Sequence, residues 1–390
     1  MLRIINAKWV TPHGIVEGQD CLIQDGVFVE KLDGDGEVLD AEGCYLCPGL
    51  IDIHTHGRMG SDFMDATEEA IDTIARAHLE QGTTTIIPTS LAGSLDETLR
   101  FLEVFSKTEK RRTGRADMPS VHLEGPYFSP AQKGAQPEKY LRDPDPQEVQ
   151  ILLERYGRWI GRWSAASELN GMREFAKACR QQGILVSYAH SDATTRQAME
   201  ANDWGFSHFT HLYSCMSSVH CRQGRRFGGL VEAAYLMPQT TVELITDGMH
   251  LPPELAELAW RCKGADRACL ITDSMRAAGL PEGEYVLGSK DSDHRVIVKD
   301  GVAWMPGFES FAGSVSSMLQ VLRIAVQRCN IPLRDAVLMA TRTPATIMGL
   351  SHKGRLEPGC DADCILLDQN LQLTCVIQHG QRIINQKEAK

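Results

Sequence analysis

From Leu50 to Thr272 the chain alternates between short apolar runs bounded by turn residues and segments with apolar residues at helical spacing. Strands follow one another across helices rather than across two-residue turns. Such a pattern builds parallel neighbours, and about eight βα units predict a (β/α)8 TIM-like barrel. The predicted strands are Leu50 to Ile53, Thr84 to Pro88, Pro119 to Glu124, Arg162 to Ala166, Ile184 to Ala189, Gly205 to Thr210, Thr241 to Thr246 and Ala268 to Thr272. Helices are expected after Asp65, capped by that residue with Glu68 at the third position, and after Ser94 with Glu97. A further helix opens at Asp145-Pro146-Gln147-Glu148, and others are expected at about 170–181, 192–201, 253–262, 313–328 and 333–348.

Both ends of the chain read as β-structure. Arg3-Ile4-Ile5, Cys21-Leu22-Ile23-Gln24 and Val27-Phe28-Val29 match Cys364 to Leu367, Thr374 to Ile377 and Arg382-Ile383-Ile384 in style. Neither set alone makes a stable sheet, so residues 1–48 plus 349–390 are expected to pair into one small β-sandwich domain. Residues 49–348 form the barrel, with a hairpin inserted near 284–305, where Lys299-Asp300-Gly301 supplies the turn.

A net charge of -11 argues against a nucleic-acid partner, which would require a basic stripe. No apolar run approaches the ~20 residues of a membrane span, and Met1 to Asn6 lacks the core of a signal peptide. Twelve cysteines without framework spacing suit a reducing cytoplasm.

The ends of the strands carry the chemistry. His54 and His56 stand two apart, so they share a face at the end of the first strand. Glu124 ends the third strand, His190 and His211 follow the fifth and sixth, Asp247 and His250 follow the seventh, and Asp273 follows the eighth. In a (β/α)8 barrel the C-terminal ends of the strands converge on one face. Imidazoles and carboxylates gathered there are ligands for a divalent metal. His122 and His208 lie deeper in their strands. Packing is the favoured reading of His122, and packing and function weigh about equally for His208.

The set Ile51-Asp52-Ile53-His54-Thr55-His56, His122-Leu123-Glu124-Gly125-Pro126, Lys133-Gly134-Ala135, His208-Phe209-Thr210-His211-Leu212, Asp247-Gly248-Met249-His250, Ile271-Thr272-Asp273-Ser274 and Ala312-Gly313-Ser314 resembles the N-acetylglucosamine-6-phosphate deacetylase family of the amidohydrolase superfamily. The motifs occur in the family's order over nearly the whole chain. The resemblance implies an α/β metal-dependent hydrolase barrel, one or two divalent metals (zinc or iron) per subunit, and a cytoplasmic homodimer acting on a sugar phosphate. Carried over by position, it makes Glu124, His190 and His211 ligands of the principal metal and gives His54 and His56 to a second. Asp273 becomes the general acid/base. Arg222 and His250 become phosphate contacts, often across a dimer interface, and Ala312 and Gly313 line the sugar pocket. A divalent metal polarises an acetamide carbonyl and acidifies water; Asp273 would then move a proton from water to the departing amine.

Two positions depart from the family. Gln136 stands where the family has histidine, and Ser214-Cys215 stand where it has Asn-Ala. Both positions are expected to touch the sugar or its phosphate, not the metal, so the departures bear on which sugar is taken. Hydrolysis of another N-acyl substrate is the alternative within enzymes, and a non-catalytic sugar-phosphate sensor is the alternative outside them.

Overall fold

The computed structural model describes residues 1–385. Eight parallel strands form its centre: β1 (Leu50–Thr55), β2 (Thr83–Pro88), β3 (Val121–Glu124), β4 (Ile160–Ala165), β5 (Leu185–Tyr188), β6 (Phe206–Phe209), β7 (Thr241–Leu244) and β8 (Ala268–Leu270). β1 pairs with β2, and β3 to β8 pair in sequence order. Bridges between Thr89 and His122 and between Thr55 and Ser274 continue the parallel pairing from one set to the other. The Asp273 N–H donates to the His54 carbonyl at 2.9 Å, and the Ser90 N–H to the His122 carbonyl at 3.0 Å. The result is a curled parallel sheet whose strand ends all face one way. Both faces of the strands are buried, which is why they read as continuous apolar runs rather than as alternation.

Helices cover the outside. Ser94 with Glu97 and Asp145 with Pro146 start theirs as expected. The first helix does not start at Asp65. Asp65 closes a 3-10 turn, Phe63–Asp65, and its carboxylate accepts from the Asp62 N–H. Ala66 then turns left-handed, and the Thr67 hydroxyl caps Glu68–Leu79 by accepting from the Ala70 N–H. The helix expected at 192–201 is Thr195–Trp204, because the Thr194 hydroxyl is the cap.

The insertion is larger than a hairpin. Gly283–Val286, Arg295–Lys299, Val302–Trp304 and Phe311–Ser314 make a four-stranded antiparallel sheet. Ser314 bridges to Ser274, so this sheet stands on the end of β8. Its last strand displaces the start of the following helix to Met318, where Ser317 is the cap. The helix expected at 333–348 is two, Leu333–Ala340 and Arg342–Ile347. Pro344 lacks the N–H that would reach the Ala340 carbonyl, which forces the break.

Strands from the two chain ends pair. Tyr45–Pro48 pairs antiparallel with Cys364–Leu367 in a six-stranded sheet, and Leu2–Ile5 lies within a four-stranded one. Ile4, Ile23 and Phe28 from the smaller sheet and Leu46, Leu366 and Ile377 from the larger share one apolar cluster. Where the terminal sheets meet the start of the parallel strands, the Lys353 ammonium lies 2.7 Å from Asp117, 2.7 Å from Asp363 and 2.9 Å from Asp361. His379 Nε2 adds a contact to Asp117 at 2.9 Å.

Candidate metal centre

Six side chains converge at the ends of the parallel strands. His54 is the fifth residue of β1, and His56 follows just beyond the strand on the same side. Glu124 is the last residue of β3 and sits between the histidines. Its Oε1 lies 3.3 Å from His54 Nε2, 3.1 Å from His211 Nε2 and 3.6 Å from His190 Nε2. Its Oε2 lies 3.5 Å from His56 Nε2. Asp273 Oδ1 lies 3.1 Å from His56 Nε2 and 3.4 Å from His54 Nε2. Two sets of donors therefore stand side by side, His54 with His56 and Asp273, and Glu124 with His190 and His211.

The backbone bends to put them there. His190, His211 and Asp273 have φ of 46°, 31° and 47°. Left-handed backbone is costly for a residue with a Cβ, and it concentrates at functional sites. Each of these residues follows the end of a strand and turns the chain sharply.

Hydrogen bonds fix the rings. His190 Nδ1 lies 2.9 Å from the Gln132 carbonyl, which can only accept, so Nδ1 carries the proton and Nε2 turns its lone pair to Glu124. His54 Nδ1 lies 3.1 Å from Glu243 Oε2, with the same consequence for its Nε2. His54 Nε2 is a buried nitrogen without a hydrogen-bond partner. An orphaned imidazole nitrogen facing two carboxylates is the chemistry of a metal position. Burial alone would lower the His54 pKa, but Asp273, Glu124 and Glu243 together raise it to about 10. Burial likewise pushes the Asp273 carboxyl up, and the imidazoles of His54 and His56 outweigh it and hold Asp273 below its ordinary range. The negative charge gathered here favours a cation, and the mixed nitrogen and oxygen donors suit zinc or iron.

A cavity of about 220 Å³ opens over the donors. His56, Glu124, His190, His211 and Asp273 form its floor, and Gln136, Ser214, Cys215, His250, Ala312 and Gly313 are in its walls. His250 is set by Asp247, whose Oδ2 lies 2.7 Å from His250 Nδ1 and whose Oδ1 accepts from the His250 N–H. Burial lowers the His250 pKa and the Asp247 carboxylate raises it by more, so the ring is a better cation than an ordinary histidine. Gly134 is required beside the cavity: a Cβ there would stand 2.4 Å from Cys215 Sγ. Gly313, with φ of 81°, lets the insertion approach the Asp273 carbonyl, which a Cβ would meet at 2.9 Å.

Arg222 does not line this cavity. It lies on an exposed hairpin, His220–Arg222 with Arg225–Phe227, after β6. Gln136, expected to touch the sugar or its phosphate, is in the cavity wall and also reaches Glu124. It is buried, its Nε2 donates to Glu124 Oε2 at 2.6 Å, and its Oε1 accepts from the Ala92 N–H at 2.9 Å. His122 is buried between Thr89 and Ser164, in keeping with packing. His208 points away from the cavity, to Thr241 and Glu243. Sequence reasoning misses Glu243 and Arg162, both fully buried. A charged residue inside an apolar strand run is the available signal for each.

Residues 45–386 match the Amidohydrolase family. The chain belongs to that family. It is 34% identical over 385 residues to an N-acetylglucosamine-6-phosphate deacetylase of Lysinibacillus sphaericus, covering 97% of each chain. It is 30% identical to an N-acetylgalactosamine-6-phosphate deacetylase of Escherichia coli O157:H7, covering 98% of this chain and 99% of the relative. A mutant of an N-acetyl-D-glucosamine-6-phosphate deacetylase from Mycobacterium smegmatis, solved with N-acetyl-D-glucosamine-6-phosphate, superposes with a TM-score of 0.89. That pair is 28% identical, over 98% of this chain and 99% of the other.

Proposed function

We propose that this amidohydrolase removes the acetyl group from an N-acetylated amino-sugar 6-phosphate, releasing acetate and the amino-sugar phosphate. The observation that carries the reading is the pair of donor sets, one holding Glu124 and the other Asp273, at the floor of one small cavity. A divalent metal held there, zinc or iron, polarises the amide carbonyl and acidifies a water. Glu124, His190 and His211 would hold one ion, and His54 with His56 a second. Asp273 is the general base and acid: it takes a proton from the water and returns it to the amine nitrogen as the C–N bond breaks. His250, made a better cation by Asp247, receives the phosphate. Arg222 joins it from a second copy in a homodimer, since within one chain the hairpin bearing it stands off the cavity. Ala312 and Gly313 close the sugar wall.

The curled sheet reads as a (β/α)8 barrel over residues 49–348, and the terminal sheets as a β-sandwich of 1–48 with 349–390. Twelve free cysteines support a cytoplasmic setting, and no described helix is long and apolar enough to cross a membrane.

Deacetylation of N-acetylglucosamine 6-phosphate, its galacto isomer and their unphosphorylated forms tests the reading, with metal analysis of the same sample. Acetate release from the phosphorylated sugars is expected; release from none of them would sink the proposal. The hydrogen bonds of Gln136 to Glu124 and Ala92 leave Ser214 and Cys215 as the departures free to meet the sugar. An altered sugar preference follows, and it is wrong if N-acetylglucosamine 6-phosphate gives the highest kcat/KM among the isomers.

A further inference from the structure

Glu243 lies inside β7, fully buried, one layer beneath the donors. Its Oε2 takes two contacts on the donor side: His54 Nδ1 at 3.1 Å and the His211 N–H at 3.0 Å. Its Oε1 takes two on the other side: the Arg162 guanidinium and His208 Nε2 at 3.3 Å. Arg162 is itself fully buried and also donates to Thr210 Oγ1 at 3.2 Å. One carboxylate thus ties a residue from each of the two donor sets to a fixed cation on β4.

Resting on the metal-dependent reading above, the geometry points to Glu243 as the positioning residue that makes His54 a metal ligand. Glu243 touches neither the cavity nor a reacting atom. It acts by deciding which nitrogen of His54 carries the proton. A carboxylate only accepts, so Nδ1 must donate and Nε2 is left bare toward Glu124 and Asp273. The Arg162 guanidinium occupies the other oxygen of that carboxylate and holds it in place. The dependence is selective. His190 is fixed by the Gln132 carbonyl, and His211 meets Glu243 only through its backbone N–H. The His54–His56 position should therefore depend on Glu243 far more than the Glu124–His190–His211 position does.

Glu243→Gln exposes the difference, because the amide offers one acceptor where the carboxylate offers two. Arg162 claims that oxygen, so the NH2 faces His54 Nδ1, and the His211 N–H loses its acceptor. The ring must then accept at Nδ1 and carry its proton on Nε2, aimed at the metal position. The test is zinc titration of the chelator-stripped full chain against a chromophoric zinc chelator, with zinc counted per subunit after dialysis. The native protein should take two zinc ions. The variant should keep one within a few-fold of native affinity, its ring nitrogens being untouched, and bind the other about 10–100-fold more weakly, with unchanged circular dichroism. Two zinc ions of native affinity in the variant would overturn the inference, as would a native protein that takes one zinc and no more. A native protein that takes none would instead overturn the metal-dependent reading itself. Should the variant fail to fold because the Arg162 guanidinium loses its counter-charge, Arg162→Met with Glu243→Met removes both charges and leaves His54 Nδ1 without an acceptor, and it is read by the same two outcomes.

Discussion

The mouth of the parallel sheet and its seam with the terminal sheets both gather buried carboxylates around histidine, and they use them in opposite ways. At the seam Asp117, Asp361 and Asp363 surround the Lys353 ammonium, with His379 at the edge. The cation is covalently part of the chain, so the cluster is complete and ties the parallel sheet to the terminal sheets. At the mouth Glu124 and Asp273 face four imidazoles, and neither lysine nor arginine lines the cavity over them among the described residues. The same residue types in the same degree of burial thus serve cohesion where the cation is built in and reception where it is not. In (β/α)8 barrels stability is kept at the end where the strands begin and chemistry at the end where they finish, and the two clusters of this curled sheet follow the same division.

Altering each end should separate these roles, beginning with the largest effect. Asp273→Asn should fold normally and keep its metal while losing roughly 10²–10⁴-fold in kcat, the worth of a positioned proton carrier. Steady-state rates beside metal analysis check this, and a near-native rate would remove Asp273 from the chemistry. Glu124→Ala should lose bound metal at little cost to folding; zinc and iron unchanged from the native protein would show that the mouth holds its cation some other way.

Lys353→Met should do the reverse. It leaves three aspartates around an uncharged side chain and should cost about 3–5 kcal/mol of stability, read by denaturant unfolding, with metal content unaltered. A loss of metal in that variant would break the separation of the two ends.

The smallest effect concerns pH. The His250 pKa is raised above 6.5 by Asp247. A raised histidine contributes fully below its ordinary value and loses its contribution as pH rises through the folded value. KM for a phosphorylated sugar should therefore climb as pH passes above the ordinary histidine range. KM for an unphosphorylated analogue should stay flat there. Parallel profiles for the two substrates would take the phosphate away from His250. The Asp361 pKa moves the other way: burial raises it, but Lys353 and Arg111 hold it lower. Its support of the seam is present above the ordinary carboxylate range and is lost only as pH falls through the depressed value. Acid, not base, should loosen the terminal sheets.

The donors are legible in the sequence because each stands at the end of an apolar run, where residue type and chain position coincide. His54, His56, Glu124, His190, His211 and Asp273 all have that signature, and all six meet. What supports them is harder to see. Glu243 and Arg162 are single charges within buried strands, and their meaning depends on which strands are neighbours across the sheet. Gln136 reads as a sugar contact because the loop that bears it gives no sign that it folds back onto Glu124. In the fold, the four-stranded insertion is under-read because Gly283–Val286 and Phe311–Ser314 are weak strand formers held by non-local pairing. Asp65 and Thr67 compete as helix caps two residues apart, and only the left-handed Ala66 between them decides for Thr67.

The pairing of Tyr45–Pro48 with Cys364–Leu367 also bears on how the protein is made. The ribosome delivers the first strand long before its partner. Until then Tyr45–Pro48 presents an open edge while the whole parallel sheet is synthesised and begins to pack. Unpaired edges in incomplete chains invite association with other chains. A product ending before Cys364 should accumulate as aggregate even though every residue of the candidate metal centre has already been translated.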